Sequence, residues 1–168
     1  MRTAHIARLL AVAAVSGGFA LQAMPAAAVI DNDAATCSIS GSAAWGSTVT
    51  AVPGSHAFTF PLTWTCTSLL GDEGGTWTIN FFGTSPDESC TSGHALSQAS
   101  GSVEGQGVGN ANVVMTQSDN VFTFDGTVGS TSETHHVHAQ VTVSVPTCNW
   151  AANTSFAASG SGTLADAS

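Results

Sequence analysis

The sequence predicts an all-β fold, a single antiparallel sandwich or barrel of about 7–9 strands with two disulfides. Apolar residues recur at every second position in several segments, and clusters of Gly, Ser, Thr and Asn separate those segments. No window places apolar residues at i, i+3, i+4 and i+7, so an amphipathic helix finds no support. Four cysteines, Cys37, Cys66, Cys90 and Cys148, lie downstream of an apolar leader, and an even count in an exported chain reads as two disulfides.

The first strand follows from Cys37, Ile39, Gly41, Ala43 and Trp45, which alternate with Ser38, Ser40, Ser42 and Ala44. His56, Phe58, Phe60, Leu62, Trp64 and Cys66 alternate with small or hydroxylated residues to give a long second strand. Pro61 within it suggests an edge strand or a bulge, because proline has no N–H for a ladder. After a turn region at Gly71 to Gly75 come Trp77, Ile79 and Phe81; a weaker Gly-rich segment spans Ala95 to Val108. Val113 to Gln117 and Val121 to Gly126 flank Ser118, Asp119 and Asn120, a tight hairpin turn. Val137 to Val145 alternates over nine residues, and Phe156, Ala158, Gly160, Gly162 and Leu164 make a last strand of small residues.

If the first two strands form a hairpin, one register sets every inward residue against an inward residue: Cys37 with Cys66, Ile39 with Trp64, Ala43 with Phe60 and Trp45 with Phe58. A slip by one position would turn one apolar set toward solvent. That register favours a Cys37–Cys66 bridge, with Cys90–Cys148 following by elimination from three connectivities. A four-cysteine zinc site would need close pairs, and the spacings here are 29, 24 and 58.

The only arginines, Arg2 and Arg8, precede an apolar run from Leu9 to Leu21, which suits a signal-peptide core and is too short to span a bilayer. Small residues at Ala26, Ala27 and Ala28 follow Pro25, so residues 1–28 are expected to be a cleaved signal peptide and residues 29–168 a single secreted β domain. Losing two arginines takes the formal charge from −9 to −11 and leaves no Lys or Arg at all. Such a surface repels phosphate backbones and anionic headgroups, so the expected partners are an extracellular glycan or protein, not nucleic acid or, after cleavage, a membrane. Carboxylate repulsion is expected to favour mild acid over mild base, with added salt narrowing the difference.

The layout of leader, Cys37 strand, aromatic and Thr-rich strand ending in Cys66, Gly/Ser-rich middle with Cys90, and Cys148 before a final strand ending in Gly162, Thr163 and Leu164 resembles small secreted all-β proteins of actinobacteria whose function is uncharacterised. That resemblance implies export from a Gram-positive cell and carries no catalytic residue with it.

The densest titratable cluster is His135, His136 and His138. On a strand His136 and His138 share a face and present two imidazoles suited to Zn or Cu, with a third ligand such as His56, His94 or a carboxylate needed from another strand. The competing reading places both on the solvated face of their strand, in line with Gln140, Thr142 and Ser144. Asp31 and Asp33, Asp72 and Glu73, and Asp87 and Glu88 sit in turn-like contexts without the periodicity of a calcium loop, and read as solvated turns. A glycosidase carboxylate pair lacks long substrate loops, and no Gly-x-Ser-x-Gly elbow supports a serine nucleophile.

Trp45, Trp64 and Trp77 fall on core faces, whereas Trp150, in an apparent loop beside Cys148, is the candidate for an exposed ligand-binding indole. The leading expectation is a secreted or wall-associated module that recognises a glycan or protein by its surface, with no catalytic residues and no cofactor. A metal protein using His136 and His138 is one alternative. An inhibitor of extracellular proteases is another.

Overall fold

A computed structural model describes residues 34–68, 75–103, 106–129, 133–145 and 147–167. The expected signal peptide, Asp31, Asp33, Asp72 and Glu73 lie outside the described residues. Nine strands follow one another: β1 (Ala35–Trp45), β2 (Gly54–Ser68), β3 (Gly75–Glu88), β4 (Ser92–Val103), β5 (Gln106–Val108), β6 (Asn110–Ser118), β7 (Val121–Gly129), β8 (Thr134–Val143) and β9 (Phe156–Asp166).

All strand pairs are antiparallel, in the order β3-β2-β1-β9-β8-β7-β6-β4-β5, and a further β3–β4 pairing closes eight of them into a barrel with β5 as the extra strand. Of the two expected architectures, closure selects the barrel: β3 would be a free edge in an open sheet, and pairing with β4 satisfies it. The Gly-rich stretch read as weak is in fact β4 and β5. Gly101 pairs with Val108 on β5 while Ser97 pairs with Val113 on β6, so the register steps by one residue between the two.

The β1–β2 hairpin has the expected register, with Cys37 opposite Cys66, Ile39 opposite Trp64 and Trp45 opposite Phe58. Both disulfides form as expected, Cys37–Cys66 and Cys90–Cys148, and no described cysteine is free. Crosslinks of this kind persist in an oxidising compartment.

Pro61 corrects an expectation, because β2 is neither an edge strand nor bulged at this point: it lies between β1 and β3, with Pro61 paired to Asn80. The β1–β2 ladder is instead interrupted at Ser42 and Ala43, the residues facing Pro61 and Phe60. The ring leaves β2 without an N–H there, and the barrel tolerates the gap because pairing resumes on both sides.

The bore is filled. Phe60, Phe81, Phe122 and Phe124 are fully buried, and Phe81 stacks on Phe124 with ring centroids 4.6 Å apart. An eight-stranded barrel is just wide enough to be closed by its own side chains, and here aromatic rings do so. Below them Trp45, Trp150 and Phe156 cluster at the end of the barrel where the β1–β2 hairpin turns. With apolar residues inside and polar ones outside, the wall has the opposite polarity to a lipid-embedded barrel. Among the described residues no helix is long and apolar enough to cross a membrane.

Candidate functional site

The interior is packed with side chains, and strand alternation decides what the outer wall presents. Strand registers align outward hydroxyls into rows that cross strands: Thr163, Thr36 and Thr67 in one, and Ser161, Ser38, Thr65 and Thr76 in the next. A third row runs through Ser159, Ser40, Thr63, Thr78 and Ser102. No charged side chain interrupts these rows. Alternation puts each hydroxyl on the pleat opposite a core residue; neighbouring hydroxyls within a row are about 4.8 Å apart across adjacent strands, and successive rows are about 6.7 Å apart along them.

Two shallow hollows flank the outer face of β2 within this region. One, of about 190 Å³, is lined by Pro61, Thr63, Thr78, Asn80, Ser100 and Gly101. Gly101 leaves its floor bare: its φ is +134°, and an added Cβ would lie 2.1 Å from the Thr78 carbonyl oxygen. The other, of about 200 Å³, is bounded by Ala44, Gly46, Ala57, Thr59 and Asn153. The Thr59 hydroxyl donates to Asn80 Oδ1 at 2.8 Å, joining the two hollows. Neither lining contains a charged residue. Sequence reasoning missed this site, since it arises from cross-strand alignment and from a glycine floor, neither of which has a linear motif.

The histidines separate. His136 and His138 share the outer face of β8 as expected, but the His138 Nδ1 is engaged by Asp125 Oδ2 at 2.8 Å across β7. His135 points the other way and is buried at the barrel mouth, its Nδ1 3.0 Å from Asp166 Oδ1 and its Nε2 4.0 Å from Glu133 Oε2. His94 pairs with Asp87 at 2.9 Å, and the buried His56 meets the Ser47 hydroxyl at 2.8 Å. No described group brings three His, Cys, Asp or Glu side chains together in a way that would hold a metal. With no Lys or Arg downstream of Arg8, histidine is the basic partner in each described carboxylate pair. Ser47 and His56 resemble part of a nucleophile–base pair, but among the described residues no carboxylate pairs with the imidazole to orient it, so the contact fixes the β1–β2 hairpin.

Trp150 is a correction. It is 2 % exposed, forms a backbone bridge with Val49 and packs on Trp45 with centroids 4.6 Å apart. The Cys90–Cys148 bridge draws its segment down over the barrel end, so its indole cannot serve as a ligand platform.

Glu88 is a second correction. Expected in a solvated turn beside Asp87, it ends β3 and is completely buried. The Trp45 Nε1–H donates to its Oε1 at 3.0 Å, while Oε2 has no hydrogen-bond partner. Loss of hydration pushes its pKa from 4.5 up to about 7, against the Ser85 hydroxyl and the Trp45 N–H, which favour the ion; the nearby Asp87 charge adds a smaller rise. Strand alternation does not reveal this burial, because the residue stands where β3 gives way to a tight connection into β4.

No protein-family model, no curated protein and no solved structure matches this chain.

Proposed function

We propose that the chain is an exported β-barrel module that recognises a neutral polysaccharide on its outer wall, along β2. The charge-free pair of hollows joined by the Thr59–Asn80 hydrogen bond carries this reading. A neutral glycan offers many hydroxyls that both donate and accept, and a lining of Thr, Ser and Asn answers both roles without desolvating a charge. The Pro61 ring supplies the apolar surface against which the C–H face of a sugar rests. Export accords with the two disulfides and with the apolar leader. A shallow polar site of this kind gives modest affinity per sugar, so repeating chains should be held better than single sugars, since each further unit raises the effective concentration of the next.

Retention of the purified protein on a panel of soluble and insoluble neutral polysaccharides tests the proposal. Retention on at least one polymer, reduced about tenfold by Asn80→Ala combined with Thr78→Val, is the expected result. Retention unaffected by that pair, or none on any polymer, would sink it. Saturable binding to an extracellular protein in place of a glycan would move the assignment to protein recognition.

A further inference from the structure

Two buried acceptor atoms lie beside Gly93 at the covered end of the barrel. Glu88 Oε2 and Gln117 Oε1 are both buried and both lack a hydrogen-bond partner. They crowd the bare Cα of Gly93, since a Cβ built there would lie 2.6 Å from the first and 2.9 Å from the second. Reversing the Gln117 amide does not relieve the conflict. Its Nε2 donates to the carbonyl oxygens of Ser89 at 3.0 Å and Asp119 at 2.7 Å, and a flipped group would set its oxygen against both. One more hydrogen is required, and the carboxyl group is the only one of the two that can acquire it.

We propose that Glu88 is a neutral carboxylic acid in the folded protein, that its Oε2–H donates to Gln117 Oε1, and that this proton is a pH-sensitive latch on the barrel end. The resulting chain of hydrogen bonds runs from Trp45 Nε1 through Glu88 and Gln117 to the carbonyls of Ser89 and Asp119. It ties β1, the end of β3, β6 and the β6–β7 turn together. The same end holds the Cys90 N–H to Thr50 carbonyl bond and the Cys90–Cys148 bridge that seats Trp150, so the latch fastens the covering over the aromatic bore.

The titratable groups on the elements packed around Glu88 are His56 on β2, Asp87 on β3, His94 on β4 and Asp119 in the β6–β7 turn. Only Asp87 acts on Glu88 through charge, and as a like charge it favours the neutral acid. His94 is engaged by Asp87 and His56 by Ser47, so neither imidazole is placed to compensate a buried carboxylate. The pKa near 7 is in accord with this geometry. A metal ion in place of the proton would require more oxygens than these two. The latch is therefore closed in acid and released as pH climbs past neutrality, independently of which ligand the outer wall binds.

Carbon-detected NMR of the Glu88 carboxyl, followed from pH 4 to pH 9 together with the Trp45 indole N–H resonance, reads the latch directly in the wild-type protein. Both signals should titrate together with a midpoint near 7, and a Glu88 midpoint near the ordinary 4.5 would overturn the proposal. Glu88→Gln supplies a permanent N–H for Gln117 while still accepting from Trp45. It should melt like the wild type at pH 5 and on the order of 10 °C higher at pH 8. A variant that keeps the wild-type decline of melting temperature with pH would equally refute it.

Discussion

The indole N–H of Trp45 donates to Glu88 Oε1 across 3.0 Å, although the two residues stand 43 positions apart and neither reaches solvent. A buried carboxyl whose only help comes from neutral groups, the Ser85 hydroxyl and the Trp45 N–H, is poorly equipped to hold a negative charge, because the hydration lost on burial exceeds what they return. The pair thus couples the aromatic cluster at the barrel end to the protonation of one acid.

Stability should consequently fall between mild acid and mild base. A carboxyl whose folded pKa is raised binds its proton more tightly in the native state, so the unfolded chain holds fewer protons over the interval and the slope with pH is negative. Below about pH 4.5 the contribution is fully present, and it is lost as pH rises through about 7. A gap of that width corresponds to about 3 kcal/mol. The sequence suggested the same direction from mutual repulsion of surface carboxylates, but burial gives a different signature: screening acts weakly on a group removed from solvent. Urea denaturation at pH 5 and pH 8 should show a loss that persists at high salt. A loss that disappears in salt would assign it to the surface charges.

How far the sequence reveals this molecule depends on the reach of the interaction concerned. The β1–β2 register is legible because Cys37, Ile39 and Trp45 must all find inward partners on one neighbouring strand, and a single offset satisfies them. Barrel closure is not legible, since the β3–β4 pairing that decides it joins an aromatic strand to Ser- and Gly-rich residues with little alternation. Trp150 and Glu88 were misread for one common reason. Both lie just outside clear alternation, and both are buried by the covering that the Cys90–Cys148 bridge pins over the barrel end. The hollows beside β2 depend on the missing side chain of Gly101 and on alignment across three strands, information that no single segment contains.

The two disulfides should differ in what they contribute. Cys37–Cys66 closes a loop of 29 positions between strands that are already neighbours in an extended ladder, whereas Cys90–Cys148 spans 58 positions and holds a segment with few backbone bonds to the barrel. Chain entropy alone gives roughly 3.5 and 4 kcal/mol for the two closures. The second bridge also keeps Trp150 on Trp45, so its removal adds exposed aromatic surface to the entropic loss. The Cys90→Ser, Cys148→Ser double variant should therefore lose more stability than Cys37→Ser, Cys66→Ser, and it alone should expose a tryptophan to an aqueous quencher under native conditions. Equal losses with no change in quenching would show that the covering is held by its packing and not by the bridge.

Gly126 offers a test of the barrel wall itself. It stands in β7 opposite Val113 and Val137 with φ at +151°, a backbone conformation that side-chain-bearing residues rarely adopt. A Cβ there would lie 2.1 Å from the Asn112 carbonyl oxygen and 2.8 Å from the Val113 Cα, both of them backbone atoms that cannot rotate away. Gly107, by contrast, has nothing within 4 Å of the same added atom. Gly126→Ala should destabilise the fold by about 3 kcal/mol or more, through strain and through displacement of β6, while Gly107→Ala should stay within about 0.5 kcal/mol of wild type. Chemical denaturation of the two variants checks the contrast. The loss in Gly126→Ala should be accompanied by faster amide exchange in β6 and β7 in particular, because the displaced carbonyl belongs to the ladder joining them. Similar stabilities for the two variants would mean that β7 accepts a side chain at this position by shifting register, and that closure of the wall does not depend on the close approach at Gly126.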